Sequence, residues 1–212
     1  MRLRGAFIAT TIAEYFRDCG KQVLLMMDSL TRLAHSQREV VLAIGEPPTT
    51  KGYTPSVFTM LPKLLERVGT SSGSGAITGL YTVLMDSEEL SDPIAESVRS
   101  ILDGHIVLSK QLAARNHFPA IDLLNSTSRV MKDIVGRDHY AAIRSMIELQ
   151  ARYQQSEDLI LLGAYKAGTN GALDKAVRAQ DGINAFLRQD IEQSVSMGAS
   201  VQDLLGLMKS IG

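Results

Sequence analysis

Between Gln22 and Arg32 the chain reads Q-V-L-L-M-M-D-S-L-T-R, an unbroken apolar run over residues 23–27 that stops at one carboxylate, Asp28. A continuous apolar run this short predicts a strand buried on both faces, as in a parallel sheet covered by helices. Upstream, Ile8, Ile12 and Phe16 recur every four residues with Ala9 and Ala13 beside them, which predicts an amphipathic helix closed near Gly20. Downstream, Ser29 is placed to cap a helix over residues 29–44. Residues 46–55 hold three prolines and a glycine and cannot lie inside a helix or sheet. A helix follows over residues 56–68, with Pro62 as its start or a kink, and then a Gly/Ser loop over residues 69–75. Residues 77–85 predict a second buried strand, residues 86–93 an acidic loop, and residues 94–102 a short helix. A third strand is expected over residues 105–109 and a helical turn over 110–115. Residues 116–129 mix Pro119 with short polar side chains and predict irregular structure.

The texture changes near Gly136. From residue 137 to residue 212 there is no proline and no strand-like run. Tyr140, Ile143, Ile147 and Ala151 fall three and four apart, one face of a long helix reaching about Leu162. Gly168-Thr169-Asn170-Gly171 breaks it, and two further helices are expected over residues 173–188 and 200–211. The expected division is an α/β part over residues 1–136 and an all-α part over residues 137–212.

Composition narrows the function. With 212 residues and 45% hydrophobic content, the chain can build a sizeable core. Twenty-two basic and 23 acidic residues give a net charge of −1, which disfavours nucleic-acid binding through bulk charge. Cys19 is the only cysteine, so no disulfide forms within the chain, as suits a reducing cytosol. No apolar run approaches the ~20 residues needed to cross a bilayer, and the basic start does not read as a signal peptide. His35, His105, His117 and His139 lack metal-ligand spacing, and no G-x-S-x-G elbow is present. Asp28 remains. Ligands of open α/β sheets bind beyond the carboxyl ends of the strands, where this residue is placed.

Several stretches together resemble the ATPases of bacterial flagellar and type III protein export, relatives of the catalytic subunit of the rotary ATP synthase. They are A-F-I-A-T-T-I-A-E-Y-F-R-D from Ala6, V-L-L-M-M-D-S-L-T-R from Val23, and R-E-V-V-L-A-I-G-E-P-P-T-T-K-G-Y-T-P-S-V-F from Arg38. L-D-G-H-I-V-L-S from Leu102, H-F-P-A-I-D from His117 and S-T-S-R from Ser126 follow in the family's order. The resemblance implies a RecA-like P-loop NTPase core, followed by a helical C-terminal domain. It implies that Asp28 is the Walker B aspartate, acting on Mg²⁺ through water beside bound ATP. Arg32 matches an arginine near the phosphates, and Glu39, on the same helix, a residue that organises the site. Phe118 matches the aromatic position against adenine, where the family often has Tyr. Arg129 matches the arginine finger that enters the neighbouring subunit's site. The implied assembly is a homo-oligomer, a hexameric ring. Its implied partners are a central stalk, regulatory export proteins, and export chaperones with their substrates. The implied location is cytoplasmic, peripheral to the inner membrane and its export gate. Residues 46–55 and 86–93 resemble loops that touch the stalk.

One family feature is missing from the sequence. G-x-x-x-x-G-K-[ST] occurs nowhere; Gly20-Lys21 lies after a helix and before a strand, the reverse of a P-loop, and is followed by Gln22. The water-activating glutamate that follows the P-loop in this family, and the family's N-terminal β-barrel, are unmatched as well. The chain is therefore expected to correspond to a C-terminal portion of an export ATPase from Walker B onward, and to be inactive alone. The alternative is a non-catalytic module that keeps only surfaces for ring neighbours, stalk or chaperones.

Overall fold

The structure is a computed structural model in which residues 2–85 and 92–211 are described. The chain packs as two units, Met1–Leu102 and Asp103–Gly212.

In the first unit, helix α1 (Arg2–Asp18) ends in a turn at Gly20, whose φ of 77° a residue with a Cβ adopts rarely. Strand β1 (Gln22–Met27) follows and pairs in parallel with β2 (Ala76–Tyr81), in a register running from Gln22↔Ala76 to Met27↔Tyr81. Gly75 leads into β2 against the end of α1; a Cβ there would collide with the Arg17 carbonyl. Between the two strands run α2 (Leu30–Ala43), a 3-10 turn (Thr50–Gly52) and α3 (Pro55–Leu65). A fourth helix, α4 (Pro93–Ile101), is capped by Asp92, whose carboxylate accepts from the Ala95 N–H at 2.9 Å. The core of this unit is the meeting of three apolar stripes: Leu30, Leu33 and Ala34 of α2, Val57, Leu61 and Leu64 of α3, and Ile94 and Val98 of α4. Each such leucine or isoleucine, fully buried, stabilises by ~1.5–3 kcal/mol.

Two expectations for this unit change. β1 is not buried on both faces: Leu25 is buried, whereas Leu24 and Met26 are 61% and 67% exposed, because among the described residues only one face of the strand is covered. β2 stops at Tyr81 rather than continuing to residue 85. Of the two readings for Pro62, the interior one holds, since it lies inside α3, and Pro55 occupies the first turn, where a missing N–H is tolerated. Most of the acidic loop expected over residues 86–93 lies outside the described residues.

The second unit opens with β3 (Gly104–Leu108), then α5 (Lys110–Ala114) and β4 (Ile121–Ser128). β3 and β4 pair antiparallel, from Gly104↔Ser128 to Leu108↔Ile121, with an irregularity between His105 and Val107. The sequence expectation over residues 116–129 is corrected here: most of that stretch is strand. Its polar residues disguise it because they hydrogen-bond within the hairpin. Asp122 accepts from the N–H groups of Leu124 (3.1 Å) and Asn125 (3.0 Å), and Ser126 Oγ takes the place of a ladder carbonyl by accepting from Val107 N at 2.9 Å. After the short α6 (Met131–Ile134), α7 (Arg137–Leu161), α8 (Gly171–Leu187) and α9 (Met197–Ile211) pack around Ala142, Met146, Leu149, Ala176, Ala179, Ile183 and Leu204. Asn170 caps α8 through its side-chain oxygen, which accepts from the N–H groups of Ala172 and Leu173. Leu123 of β4 packs against the helical core, so the hairpin joins the helical unit even though strand content ends only at Ser128. No helix among the described residues is long and apolar enough to cross a membrane.

Candidate functional site

Asp28 stands at the carboxyl end of β1, exposed to solvent, immediately before the helix that β1 feeds. Its carboxylate is held. Thr82, one residue beyond the end of β2, donates its hydroxyl to Asp28 Oδ1 at 2.8 Å. The backbones around the pair are locked by two bonds, Thr82 N to the Met27 carbonyl at 3.1 Å and Leu30 N to the Thr82 carbonyl at 2.9 Å. A third tie lies one turn on. Thr31 Oγ1 accepts from Leu84 N at 2.8 Å and faces the Leu84 carbonyl at 3.2 Å. Thr82 is the residue that sequence reading missed. The signal for it is the pairing register, which sets it level with Asp28 and which no local pattern reveals.

Ser29 starts α2 with extended backbone, and its hydroxyl accepts from Arg32 N at 3.3 Å. This cap fixes Arg32 in the first helical turn, with its side chain exposed on the same end of β1 as Asp28. Glu39 is exposed too, seven residues further on and hence on a neighbouring stretch of the same helix face. The opposite face buries Leu30, Leu33, Ala34 and Val41. Asp28, Arg32 and Glu39 thus share one unit, Arg32 and Glu39 on α2 and Asp28 at the end of the strand that feeds it.

The proline-bearing loop after α2 is structured rather than loosely solvated. Glu46 accepts from Ser56 N at 2.8 Å and from the Ser56 hydroxyl, and Thr49 donates both N–H and hydroxyl to the Tyr53 carbonyl. Buried Tyr53 places its hydroxyl 2.9 Å from His35 Nε2 of α2, under the Arg38 guanidinium at 5.3 Å from the ring centre.

Phe118 and Arg129 belong to the second unit. Phe118 is 51% exposed, with its carbonyl accepting from Gln189 N at 2.9 Å. Its neighbour His117 is buried, and burial first, then the charge of Arg188, lowers the pKa of its imidazole. Arg129 follows β4 directly, its N–H donating to the Asp103 carbonyl at 2.7 Å and its side chain exposed. β4 pairs at Ile121 with Leu108 and at Ser128 with Gly104, so its ends lie only roughly 13 Å apart, with Phe118 and Arg129 beyond opposite ends.

Among the described residues, no group of three or more His, Cys, Asp or Glu side chains could hold a metal ion. One carboxylate braced by one hydroxyl does fit the outer shell of a hydrated magnesium carried in by nucleotide phosphates. Mg²⁺ is commonly bound in this way, with few protein ligands and several retained waters.

Comparison with known proteins agrees with this geometry. Residues 1–128 match the ATP synthase alpha/beta family, nucleotide-binding domain, and residues 135–206 match the T3SS EscN ATPase C-terminal domain. The chain is 51% identical over 207 residues to a flagellum-specific ATP synthase of Bacillus subtilis, covering 98% of this chain and 47% of that protein. It is 50% identical over 210 residues to a type 3 secretion system ATPase of Pseudomonas syringae pv. tomato, covering 99% and 46%. The assembled ATPase EscN of enteropathogenic E. coli superposes with a TM-score of 0.93 at 48% identity, over 98% of this chain and 50% of that one. EscN in complex with its central stalk EscO superposes with a TM-score of 0.87. The chain thus spans about half the length of the relatives it matches. With residues 1–128 matched to its nucleotide-binding domain and nearly the whole chain similar to its members, the chain belongs to the ATP synthase alpha/beta family.

Proposed function

We propose that this chain is the Walker B and C-terminal portion of an ATPase that drives flagellar or type III protein export. The observation that carries the reading is Asp28, a braced and solvent-facing carboxylate at the end of a parallel strand, where open α/β sheets bind their ligands. In this reading Asp28 orients water of a nucleotide-bound Mg²⁺. Arg32 lies near the phosphates, Glu39 organises the site, and Phe118 offers a face to adenine. Arg129 reaches the site of the next subunit in a homo-oligomeric ring. When bound, the magnesium supplies neutralisation of the phosphate charge. The functional division falls at residue 136, with nucleotide chemistry in 1–136 and contacts to chaperones and export substrates in 137–212. The intact assembly is cytoplasmic, gathered at the inner membrane beside the export gate, with a central stalk through the ring.

The protein's own residues supply positioning and charge; phosphoryl transfer asks for little else. The amide cradle, lysine and hydroxyl of a G-x-x-x-x-G-K-[ST] loop occur nowhere in these 212 residues. That favours a second reading of the chain by itself, as an interaction module without turnover. The test is a full-length relative whose matching segment is replaced by residues 1–212. Asp28→Asn should abolish its Mg²⁺-dependent phosphate release, and retained release would refute the role of Asp28.

A further inference from the structure

We infer that Thr82 is the positioning residue of this site. Its hydroxyl selects which oxygen and which rotamer Asp28 presents to a nucleotide-bound magnesium, and it adds a second acceptor for that ion's water. The inference rests on the proposed role of Asp28. Three observations carry it. The hydroxyl donates to Asp28 Oδ1 at 2.8 Å, so its single proton is committed and Oδ2 keeps its lone pairs for water. The Thr82 backbone is pinned on both sides of Asp28, to Met27 and to Leu30, so the hydroxyl cannot drift from the carboxylate. As a β-branched side chain, Thr82 has few χ1 choices, which suits it to aiming one group. Donation to Oδ1 leaves the lone pairs of the threonine oxygen to accept. The carboxylate and hydroxyl together then form a pair of acceptors for two waters of one hydrated ion.

A purely structural role fits poorly. Both residues are exposed. A bond between exposed groups replaces one with water and stabilises the fold little. Partners that orient metal-binding groups, by contrast, typically alter metal affinity or activity by 10–100-fold when removed.

The experiment uses the full-length relative carrying residues 1–212, with Thr82→Val, Thr82→Ser, Asp28→Asn and the Thr82→Val/Asp28→Asn double variant. Two quantities are read: the Mg²⁺ concentration for half-maximal phosphate release, and ADP affinity by calorimetry with and without Mg²⁺. Thr82→Val should raise the Mg²⁺ requirement about tenfold or more and shrink the gain in ADP affinity that Mg²⁺ confers, leaving metal-free ADP affinity unchanged. Thr82→Ser, which keeps the hydroxyl, should restore both. In the ADP titrations the double variant should match Asp28→Asn alone, because both changes act on one carboxylate. If Asp28→Asn behaves as the parent in both readouts, the proposed function itself fails. If Asp28→Asn disables the site while Thr82→Val matches the parent in both, the inference about Thr82 is overturned and the proposed function stands. Equal losses of metal-free and Mg²⁺-supported binding in Thr82→Val would also overturn it, as the mark of a misfolded site.

Discussion

Arginine at position 129 should act on a neighbour rather than on its own chain, and subunit mixing can decide this. Arg129 is fixed at one end of β4 by its backbone bond to Asp103, and Phe118 sits beyond the other end of a bulged strand whose paired ends lie roughly 13 Å apart. The aromatic face and the guanidinium thus stand beyond opposite ends of the hairpin, and the mixing experiment asks whether they serve one nucleotide or two. In a full-length relative carrying residues 1–212, Arg129→Ala alone should slow turnover by about 10³–10⁵, the range for arginine fingers, with nucleotide affinity nearly intact. Asp28→Ala alone should also be inactive. If each interface takes Asp28 from one chain and Arg129 from the next, random equal mixing leaves about one quarter of the interfaces with both groups intact. Hydrolysis should therefore recover to about a quarter of the parent's, and should trace a symmetric hump as the mixing ratio is varied. Measuring at ATP well below the site concentration keeps each interface independent of its neighbours' turnover. Activity no higher than that of either parent variant at every ratio would mean that the arginine serves its own chain.

Ile183, fully buried in the helical core, should cost ~2–5 kcal/mol when changed to Ala, through lost apolar burial and the cavity left behind; urea titration followed at the helical signal tests this, and a loss under ~1 kcal/mol would mean the core collapses to fill the gap. Glu14 is held below its ordinary 4.5 mainly by the hydrogen bond from Arg67, which donates to both carboxylate oxygens. Its contribution is fully present above pH 4.5 and is lost as the pH falls through the lowered value, so Glu14→Gln should flatten the acid limb of a stability–pH curve, and an unchanged limb would refute the assignment. The 212-residue chain alone should release no phosphate from Mg-ATP and should bind it more weakly than roughly millimolar, since stacking on Phe118 contributes only ~1 kcal/mol against the ~4 kcal/mol that millimolar affinity requires; micromolar binding by calorimetry would overturn this.

The helices after residue 137 were legible because their apolar spacing is local, although the inward face of α7 was read one position off: Ala142, Met146 and Leu149 are buried, while Tyr140, Ile143, Ile147 and Ala151 are only half-buried. The strand at β1 was legible from its apolar run, but its two-sided burial was not. The exposure of Leu24 and Met26 depends on what covers the sheet, and that information lies outside the run itself. β4 was hidden for the opposite reason. Asp122, Asn125 and Ser126 carry turn chemistry, and here that chemistry is spent inside a strand, on an irregularity that only pairing with β3 creates. The candidate site divides the same way. Asp28 announces itself by ending an apolar run, and Arg32 follows from the Ser29 cap. Thr82, 54 residues from Asp28, is an ordinary threonine until the register Met27↔Tyr81 brings the two strand ends level. Periodicity describes the bodies of helices and strands, where packing repeats. The groups that do chemistry sit just past the ends, where no repeat remains and the neighbour is set by topology. In this chain the carboxylate could be read from one strand, but the hydroxyl that aims it needed two.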